Sequence, residues 1–296
     1  MPALGGLLFA VMNKTTTSRA NVGPAPLRRT VGTFARSVLG RCGYRVVRID
    51  LPDHAPAENS GVFFPTGENR RGWTFPSDWD GPDRQWLPVL KTLYTRPASW
   101  PASISPEGGS FLYWLVRNVQ PRQVIEIGTC VGASTIWMAA AMRANGGGVL
   151  HTFDDFQIPR DPRLAAAPLF QDRRNTVEAR IRSAGLGDLV RFHVGDSKKQ
   201  VPAAYEQLRT GGNVQFAFID GDHSFEGVLG DLLAVEPVLE PGGYVVLHDV
   251  FPEVCGVEGP RQLLDKLKRL TKVEYRWCEI YTSPQNYGLA VLRRVP

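Results

Sequence analysis

The chain has few cysteines and no long apolar run. Its 296 residues contain 4 cysteines, and no two of them are spaced as Cys-x-x-Cys. This pattern indicates neither a zinc knuckle nor a thioredoxin-type redox site. Scattered thiols fit a reducing compartment, although one disulfide stays open. The apolar segment at residues 3–12 is too short to span a bilayer, and no basic residue precedes it as in a secretory signal. We therefore expect a cytoplasmic protein without stable membrane insertion.

A strong charge of one sign is also missing from most of the chain. Lysine and arginine number 34 against 29 aspartates and glutamates, which gives a net charge of +5. Eight of these basic residues and one acid lie in residues 1–50, whereas the rest of the chain carries 26 basic and 28 acidic groups. A nearly neutral body is not typical of a polyanion binder, so we expect no nucleic-acid partner. Residues 1–30 are predicted to be a disordered basic arm.

Residues 31–104 are predicted to be an extension made of helical and irregular segments. Apolar residues at helical spacing over residues 31–42 indicate an amphipathic helix, which would pack on its own domain or lie on a membrane surface. Residues 51–105 are rich in proline, glycine and tryptophan, with one clear helix around residues 83–94. This segment could cover an active site, or its tryptophans could anchor an irregular segment to the core.

Short apolar strands alternate with amphipathic helices from residue 105 onward. Strands are predicted at residues 124–127, 149–153, 190–194, 214–219 and 244–247. Helices are predicted from residue 105 and at residues 134–144, 173–184, 199–210, 225–239 and 260–272. Two further strands, 273–280 and 287–293, have no helix between them and predict a hairpin. The pattern indicates an α/β fold with a doubly wound, mostly parallel seven-stranded sheet, helices on both faces and a C-terminal antiparallel hairpin.

Glycines and acids follow the first three predicted strands, where ligands bind in such a sheet. The first strand ends in VIEIGTCVGAS, with Gly128 and Gly132 but without the G-x-G-x-x-G fingerprint of dinucleotide binding. Glu126 would repel a phosphate and attract a cationic ligand. The second strand ends at Asp154, where a carboxylate can bind ribose hydroxyls. The third ends at residues 195–197, whose polar atoms could bind a purine edge.

Together these motifs resemble those of the class I S-adenosylmethionine-dependent methyltransferases. The resemblance covers about residues 105–296, which it makes a Rossmann-like methyltransferase domain with S-adenosylmethionine as cofactor. It implies that Asp154 binds the ribose and that Asp196 binds the adenine amino group. The cofactor-binding residues that it implies are Glu126, Gly128, Thr129, Gly132, Ser134, Asp154, Asp196 and Ser197.

The fourth and fifth strands end in IDGDHSFEG and GGYVVLHD, at residues 219–227 and 242–249. These strings are similar to those of small-molecule O-methyltransferases related to the catechol-type and macrolide-sugar enzymes. The resemblance implies a divalent-metal site at Asp220, His248 and Asp249, although His248 stands where relatives have an acid or its amide neighbour. Carboxylates and water suit Mg²⁺, whereas histidine suits a softer ion. A transition metal, a substrate-facing His248 and the absence of a metal therefore all stay open.

His223 matches the histidine that some sugar O-methyltransferases use as a base. With Asp220 and His248 it forms the predicted catalytic set, because a hydroxyl acceptor must lose its proton to a base or to a metal-assisted step. The simpler interpretation is that Asp222 and His223 only cap the following helix.

The expected function is methyl transfer from S-adenosylmethionine to a hydroxyl of a small molecule, such as a sugar, a glycoside or an aromatic metabolite. A divalent metal, Mg²⁺ or another cation, and a histidine base would assist. Two other functions stay open: different chemistry on the same fold, as in cephalosporin-hydroxylase-like proteins, and a non-catalytic cofactor-binding partner. The expected partner is a small-molecule acceptor, and a homo-oligomer is left open.

Overall fold

The computed structural model describes residues 84–96, 102–159, 165–281 and 287–296. The predicted arm at residues 1–30, the helix at 31–42 and the tryptophan-rich segment up to residue 83 lie outside these residues. The described α-helices are α1 (Trp86–Tyr94), α2 (Pro106–Val119), α3 (Ala133–Ala144), α4 (Arg173–Ser183), α5 (Ser197–Ala203), α6 (Tyr205–Thr210), α7 (Phe225–Val235), α8 (Pro252–Cys255) and α9 (Gly259–Leu270). The described strands are β1 (Gln123–Ile127), β2 (Val149–Asp154), β3 (Val190–Val194), β4 (Val214–Ile219), β5 (Leu239–His248), β6 (Tyr275–Ile280) and β7 (Leu289–Arg294).

The seven described strands form one sheet in the order β3-β2-β1-β4-β5-β7-β6. The first five in chain order pair in parallel, and β7 pairs antiparallel with both β5 and β6. This arrangement confirms the predicted fold class, including the C-terminal hairpin. The strand order reverses between β1 and β4, whose ends Ile127 and Ile219 are in register. Such a reversal opens a crevice at the carboxyl ends of the strands, which is the usual ligand site of these folds.

Helices cover both faces of the sheet and divide the core into two layers. On one face, α1 to α4 pack against side chains such as Val124, Leu150 and Phe216. On the other face, α5 to α7 and α9 pack against alternate positions of the same strands, including Ile125 and Ala217. Because successive strand residues point to opposite faces, the continuous apolar strands of the sequence supply both layers.

Helix α1 shares the hydrophobic core of α2 and α3. Its residues Trp86, Leu90 and Tyr94 are at most 5% exposed. The Tyr94 hydroxyl donates a hydrogen bond to the carbonyl of Ile104 at 3.0 Å and accepts one from Nε1 of Trp137 at 3.1 Å. A helix predicted within the N-terminal extension therefore packs directly on α3, the helix that follows the first glycine loop.

Two prolines account for where helices stay continuous and where they break. Pro88 lies in the first turn of α1, where backbone N–H groups have no partner within the helix, so it does not interrupt the helix. The single helix predicted at residues 199–210 is instead two helices, α5 and α6. Pro202 lies inside α5 and cannot donate a backbone hydrogen bond, and the helix ends at Ala203.

No helix among the described residues has the length and apolar character needed to cross a membrane.

Gly109 permits the close approach of α2 to α3, and its replacement by alanine is expected to destabilise the fold. A Cβ atom at this position would lie 2.0 Å from Nε1 of Trp137, which is fully buried. Overpacking of a core costs about 1–3 kcal/mol, which exceeds the gain of up to about 1 kcal/mol from the higher helix propensity of alanine. Urea denaturation of Gly109→Ala should therefore show a lower midpoint than the wild type.

Gly108→Ala in the same helix is the matched control for this prediction. There the nearest atom to an added Cβ is Cγ1 of Ile104, at 2.9 Å, which is a much smaller overlap than the 2.0 Å approach at Gly109. We expect Gly108→Ala to change the midpoint less than Gly109→Ala does. A Gly109→Ala protein as stable as the wild type would contradict the prediction.

Candidate active site

The loop after β1 lies directly against the end of β4. Gly128 has a φ of 94°, and its backbone N–H donates to the carbonyl of Phe153 at 2.9 Å. A Cβ atom at this position would lie 2.1 Å from the backbone oxygen of Asp220, so only glycine fits. Gly132, with a φ of 83°, then precedes the first residue of α3. Gly128 thus brings the loop next to Asp220, one of the second group of predicted residues, whereas Gly132 faces Val177 of α4.

Glu126 is fully buried beneath this loop and accepts three hydrogen bonds from hydroxyl groups. Ser134 donates to Oε1, and Thr135 and Thr152 donate to Oε2, each at 2.6 Å. Burial raises the pKa of Glu126 to about 7, although the three hydroxyls oppose the shift. The hydroxyl of predicted cofactor residue Thr129 also pairs with that of Thr152. Sequence reasoning missed Thr135 and Thr152, because a threonine inside an apolar helix or strand carries no distinct signal.

Asp154 lies at the end of β2, as the ribose prediction requires, and its carboxylate already has three partners. Oδ2 accepts the backbone N–H of Cys130 at 2.9 Å, and Oδ1 accepts that of Phe156 at 2.6 Å. Oδ1 also forms an ion pair with Arg173 at the start of α4, at 2.5 Å. Burial raises the pKa of Asp154, whereas the charge of Arg173 opposes that shift. Sequence reasoning did not single out Arg173, which is 19 residues away in the chain.

The loop after β3 holds Asp196 and Ser197, the predicted adenine-side residues. Asp196 is exposed and caps α5 by accepting the backbone N–H of Lys198 at 3.1 Å. The Ser197 hydroxyl donates to Oδ1 of Asp231, a buried residue of α7 whose pKa burial raises to about 6. In this structure Ser197 therefore connects the loop to α7, and Asp231 is a partner that sequence reasoning missed.

Two carboxylates and two imidazoles meet at the ends of β4 and β5. Nδ1 of His248 lies 2.9 Å from Oδ1 of Asp220 and 3.1 Å from Oδ1 of Asp249. Nε2 of His223 lies 3.1 Å from Oδ2 of Asp249 and 3.5 Å from Oδ1 of Asp220. All four residues were predicted as catalytic or metal-binding, and the structure brings them together in one group, which we call the acid–imidazole cluster.

The charges in the acid–imidazole cluster oppose the effects of burial. Burial raises the pKa of Asp249, even though the charges of both histidines oppose the shift. For Asp220, the charge of His248 and hydrogen bonds from both imidazoles outweigh burial and hold its pKa well below the ordinary value. Burial would lower the pKa of His223, but the hydrogen bond to Asp220 and the charge of Asp249 outweigh it and raise that pKa. The cluster therefore favours ionised Asp220 and a basic His223.

The donor atoms of the acid–imidazole cluster fit a cation. Oδ1 of Asp249 is buried and accepts no hydrogen bond, because the hydrogen bond of His248 Nδ1 is to Asp220. The same Nδ1 lies 3.1 Å from this oxygen and compensates its charge only when the imidazole is protonated. A buried carboxylate oxygen without a donor is costly unless a positive charge compensates it. Asp249 also has a φ of 59°, a backbone conformation that is strained outside glycine and is typical of functional sites.

A second ligand set, with His223 in place of His248, also fits the geometry. One ligand atom each from Asp220, His223 and Asp249 lies within 4.8 Å of the others. His248 is 4% exposed, and its Nδ1 is hydrogen-bonded to Asp220, so it lies behind the carboxylates. His223 is 41% exposed and lies on the solvent side. The roles of these two histidines remain predictions.

Known proteins with similar sequences and structures are methyltransferases. Residues 125–250 match a family described as a methyltransferase domain. The chain is 29% identical to a catechol O-methyltransferase from Niastella koreensis over 66% of this chain and 83% of that protein. It is 28% identical to a rhamnosyl O-methyltransferase from Mycobacterium tuberculosis over 46% of this chain and 48% of that protein. The chain thus spans about half the length of the second relative.

A solved structure agrees with the fold. The O-methyltransferase TomG from Streptomyces achromogenes, in complex with S-adenosylmethionine, superimposes with a TM-score of 0.53 at 21% identity, over 70% of this chain and 90% of that one. The fold, the glycine loop and these relatives confirm the resemblance to the class I S-adenosylmethionine-dependent methyltransferases that the motifs predicted. The named relatives and the superimposed structure are O-methyltransferases, which agrees with the predicted enzyme class.

Proposed function

We propose that this protein transfers a methyl group from S-adenosylmethionine to a hydroxyl of a small sugar, glycoside or aromatic metabolite. The observation that carries the proposal is the contact between the cofactor loop and the acid–imidazole cluster. Gly128 lies so close to the backbone of Asp220 that no side chain fits between them. A base and two carboxylates therefore lie next to the loop that would hold the methyl donor.

His223 is proposed as the general base. When bound, S-adenosylmethionine supplies an electrophilic methyl group on a sulfonium. The acceptor oxygen bonds to the methyl carbon as the carbon–sulfur bond breaks and the sulfur keeps the electron pair. The other ring nitrogen of His223, Nδ1, takes the hydroxyl proton, and Asp249, 3.1 Å from Nε2, stabilises the resulting imidazolium. Positioning supplies most of the remaining acceleration of such a displacement.

A divalent cation is proposed at Asp220 and Asp249, with a histidine as third ligand. The sequence resemblance favours His248 for this place, whereas the greater exposure of its side chain favours His223. The buried oxygen of Asp249 without a hydrogen-bond partner supports the presence of a cation. Such an ion would lower the pKa of an acceptor hydroxyl and orient it. If His223 is a ligand, the metal and not the histidine would activate the hydroxyl.

The choice of acceptor class rests on the relatives. One relative acts on catechol and another on a rhamnosyl group, as their names state. Both acceptors present a hydroxyl next to a second oxygen, which suits a site with a cation and a base.

The described cysteines Cys130, Cys255 and Cys278 are free, which supports the proposed cytoplasmic location.

Methyl transfer from labelled S-adenosylmethionine tests the proposal. The purified protein would be incubated with a catechol, a flavonoid and a rhamnoside panel, and the label in each acceptor would be counted. We expect transfer to at least one acceptor class, and calorimetry should show binding of S-adenosylhomocysteine. No binding of S-adenosylhomocysteine at millimolar concentration would contradict the proposal. Binding without transfer to any panel member or to a metabolite extract would favour a non-catalytic partner protein.

A further inference from the structure

We propose that Arg173 is a positioning residue of the cofactor site, which orients the Asp154 carboxylate toward the ribose hydroxyls of the cofactor. The inference rests on the proposed binding of S-adenosylmethionine at the ends of β1 and β2. It adds a residue from α4 to a site that the sequence motifs confine to the strand ends.

The ion pair between Arg173 and Asp154 is buried. The side chains of the two residues are 9% and 8% exposed, and Nη2 of Arg173 lies 2.5 Å from Oδ1 of Asp154. Asp155, whose side chain is 49% exposed, lies farther away, with its Oδ1 3.7 Å from the same nitrogen. A buried pair of this kind costs desolvation energy and is weak evidence for a role in stability alone. Its place at the predicted ribose site therefore needs another explanation.

The hydrogen bonds of Asp154 leave a specific place for one more donor. A carboxylate oxygen accepts about two hydrogen bonds. Oδ1 is filled by the backbone N–H of Phe156 and by Arg173, whereas Oδ2 accepts the backbone N–H of Cys130. Arg173 thus adds a charged donor to the orientation that the two backbone N–H groups set, and it leaves Oδ2 with capacity for one ribose hydroxyl.

Arg173 itself has a donor that this structure leaves unused. Its Nε atom is buried and has no hydrogen-bond partner. A buried N–H of a charged group without an acceptor is costly, and such groups in native structures often face a missing ligand or water. The guanidinium also lies 5.4 Å from the ring centroid of Phe156, which limits its movement. A ribose hydroxyl offers both the donor that Asp154 can accept and an oxygen that can accept from Arg173.

Without Arg173, Asp154 would lose the charge that opposes the effect of its burial. Burial raises the pKa of this carboxyl, and Arg173 is the largest opposing influence. Loss of the guanidinium would favour the neutral acid, which accepts ribose hydroxyls less well than the carboxylate does. Lysine would restore the charge but not the planar pair of donors, so it should rescue binding only in part.

Calorimetry with two ligands tests this role and separates it from a structural one. The ligands are S-adenosylhomocysteine and its 2′,3′-dideoxyribose analogue, and the proteins are the wild type, Arg173→Met, Arg173→Lys and Arg174→Met. Arg174, which pairs with Glu178 and lies over Phe192, is the matched control. We expect Arg173→Met to weaken binding of S-adenosylhomocysteine by about 10- to 100-fold, the range for a charge-assisted hydrogen-bond network, and binding of the analogue by less than about 3-fold. Arg173→Lys should be intermediate, and Arg174→Met should resemble the wild type.

Equal losses for both ligands would overturn the inference, because they would indicate a general disturbance of the site. Unchanged binding of S-adenosylhomocysteine by Arg173→Met would also overturn the inference. Tighter binding would overturn it too, because it would show that Arg173 competes with the ribose for Asp154. If Arg173→Met fails to fold, Arg173→Lys decides the outcome. The quantity compared is then its loss of affinity for S-adenosylhomocysteine against its loss of affinity for the dideoxyribose analogue. A wild type that does not bind S-adenosylhomocysteine would overturn the proposed function itself, whereas the other two outcomes leave that function standing.

Discussion

Replacement of His223 by alanine is expected to lower kcat by about 10²- to 10⁴-fold, the usual contribution of a positioned base. The side chain is 41% exposed, so its loss should leave the fold intact. Binding of S-adenosylhomocysteine should be retained, because the cofactor loop contacts the cluster through the backbone of Asp220 and not through His223. Steady-state methyl transfer and calorimetry on the same preparation provide the two measurements.

His193→Gln is the matched control for His223→Ala. His193 lies on β3, where Nε2 is 3.0 Å from Nδ1 of His151 and the ring stacks on Phe153. Its replacement should leave kcat near the wild-type value. Near-normal turnover of His223→Ala would remove the base from the mechanism. If its activity instead returns with added Mn²⁺, His223 is a metal ligand and the hydroxyl is activated by the cation.

Removal of divalent cations is expected to reduce methyl transfer by at least about 10²-fold, because a bound cation supplies several kcal/mol of stabilisation to a developing alkoxide. Activity should return when Mg²⁺ or Mn²⁺ is added back. Asp249→Asn should abolish this stimulation, since it removes the charge of a carboxylate whose Oδ1 has no hydrogen-bond donor. Titration of Mn²⁺ followed by electron paramagnetic resonance measures the binding without any acceptor.

Asp222→Asn tests whether loss of any nearby carboxylate has the same effect. Asp222 lies two residues after Asp220, is exposed, and accepts the backbone N–H of Ser224 at the start of α7. We expect this variant to bind Mn²⁺ as the wild type does. If chelators do not affect the turnover of the wild type, the metal site is refuted. Proton transfer would then be the remaining role of the acid–imidazole cluster.

The positions of Asp220 and Asp249 could be predicted from the sequence because topology alone brings them together. Both follow apolar strands, and the carboxyl ends of neighbouring parallel strands share one edge of the sheet. The loop glycines Gly128 and Gly132 could also be predicted, but for a different reason. Each has a positive φ, a backbone conformation that other residues rarely adopt.

Side-chain partners from distant elements could not be predicted in this way. Arg173 and Asp231 reach the site from the helices α4 and α7, and no periodicity or spacing marks them among other charged residues. The orientation of the His248 side chain could not be predicted either. A position at the end of a strand fixes the Cα atom of a residue, but it does not determine which neighbour the side chain contacts. Such contacts depend on packing distances that only the folded chain defines.

Helix α1 determines where this protein can be shortened. A version that begins at residue 105 would keep every motif of the active site and would lose Trp86, Leu90 and Tyr94 from the core. Trp137 would then lose its hydrogen-bond acceptor and part of its cover, and α3 would present an apolar face to water. Efforts to crystallise or redesign the catalytic region should therefore retain the chain from before residue 86.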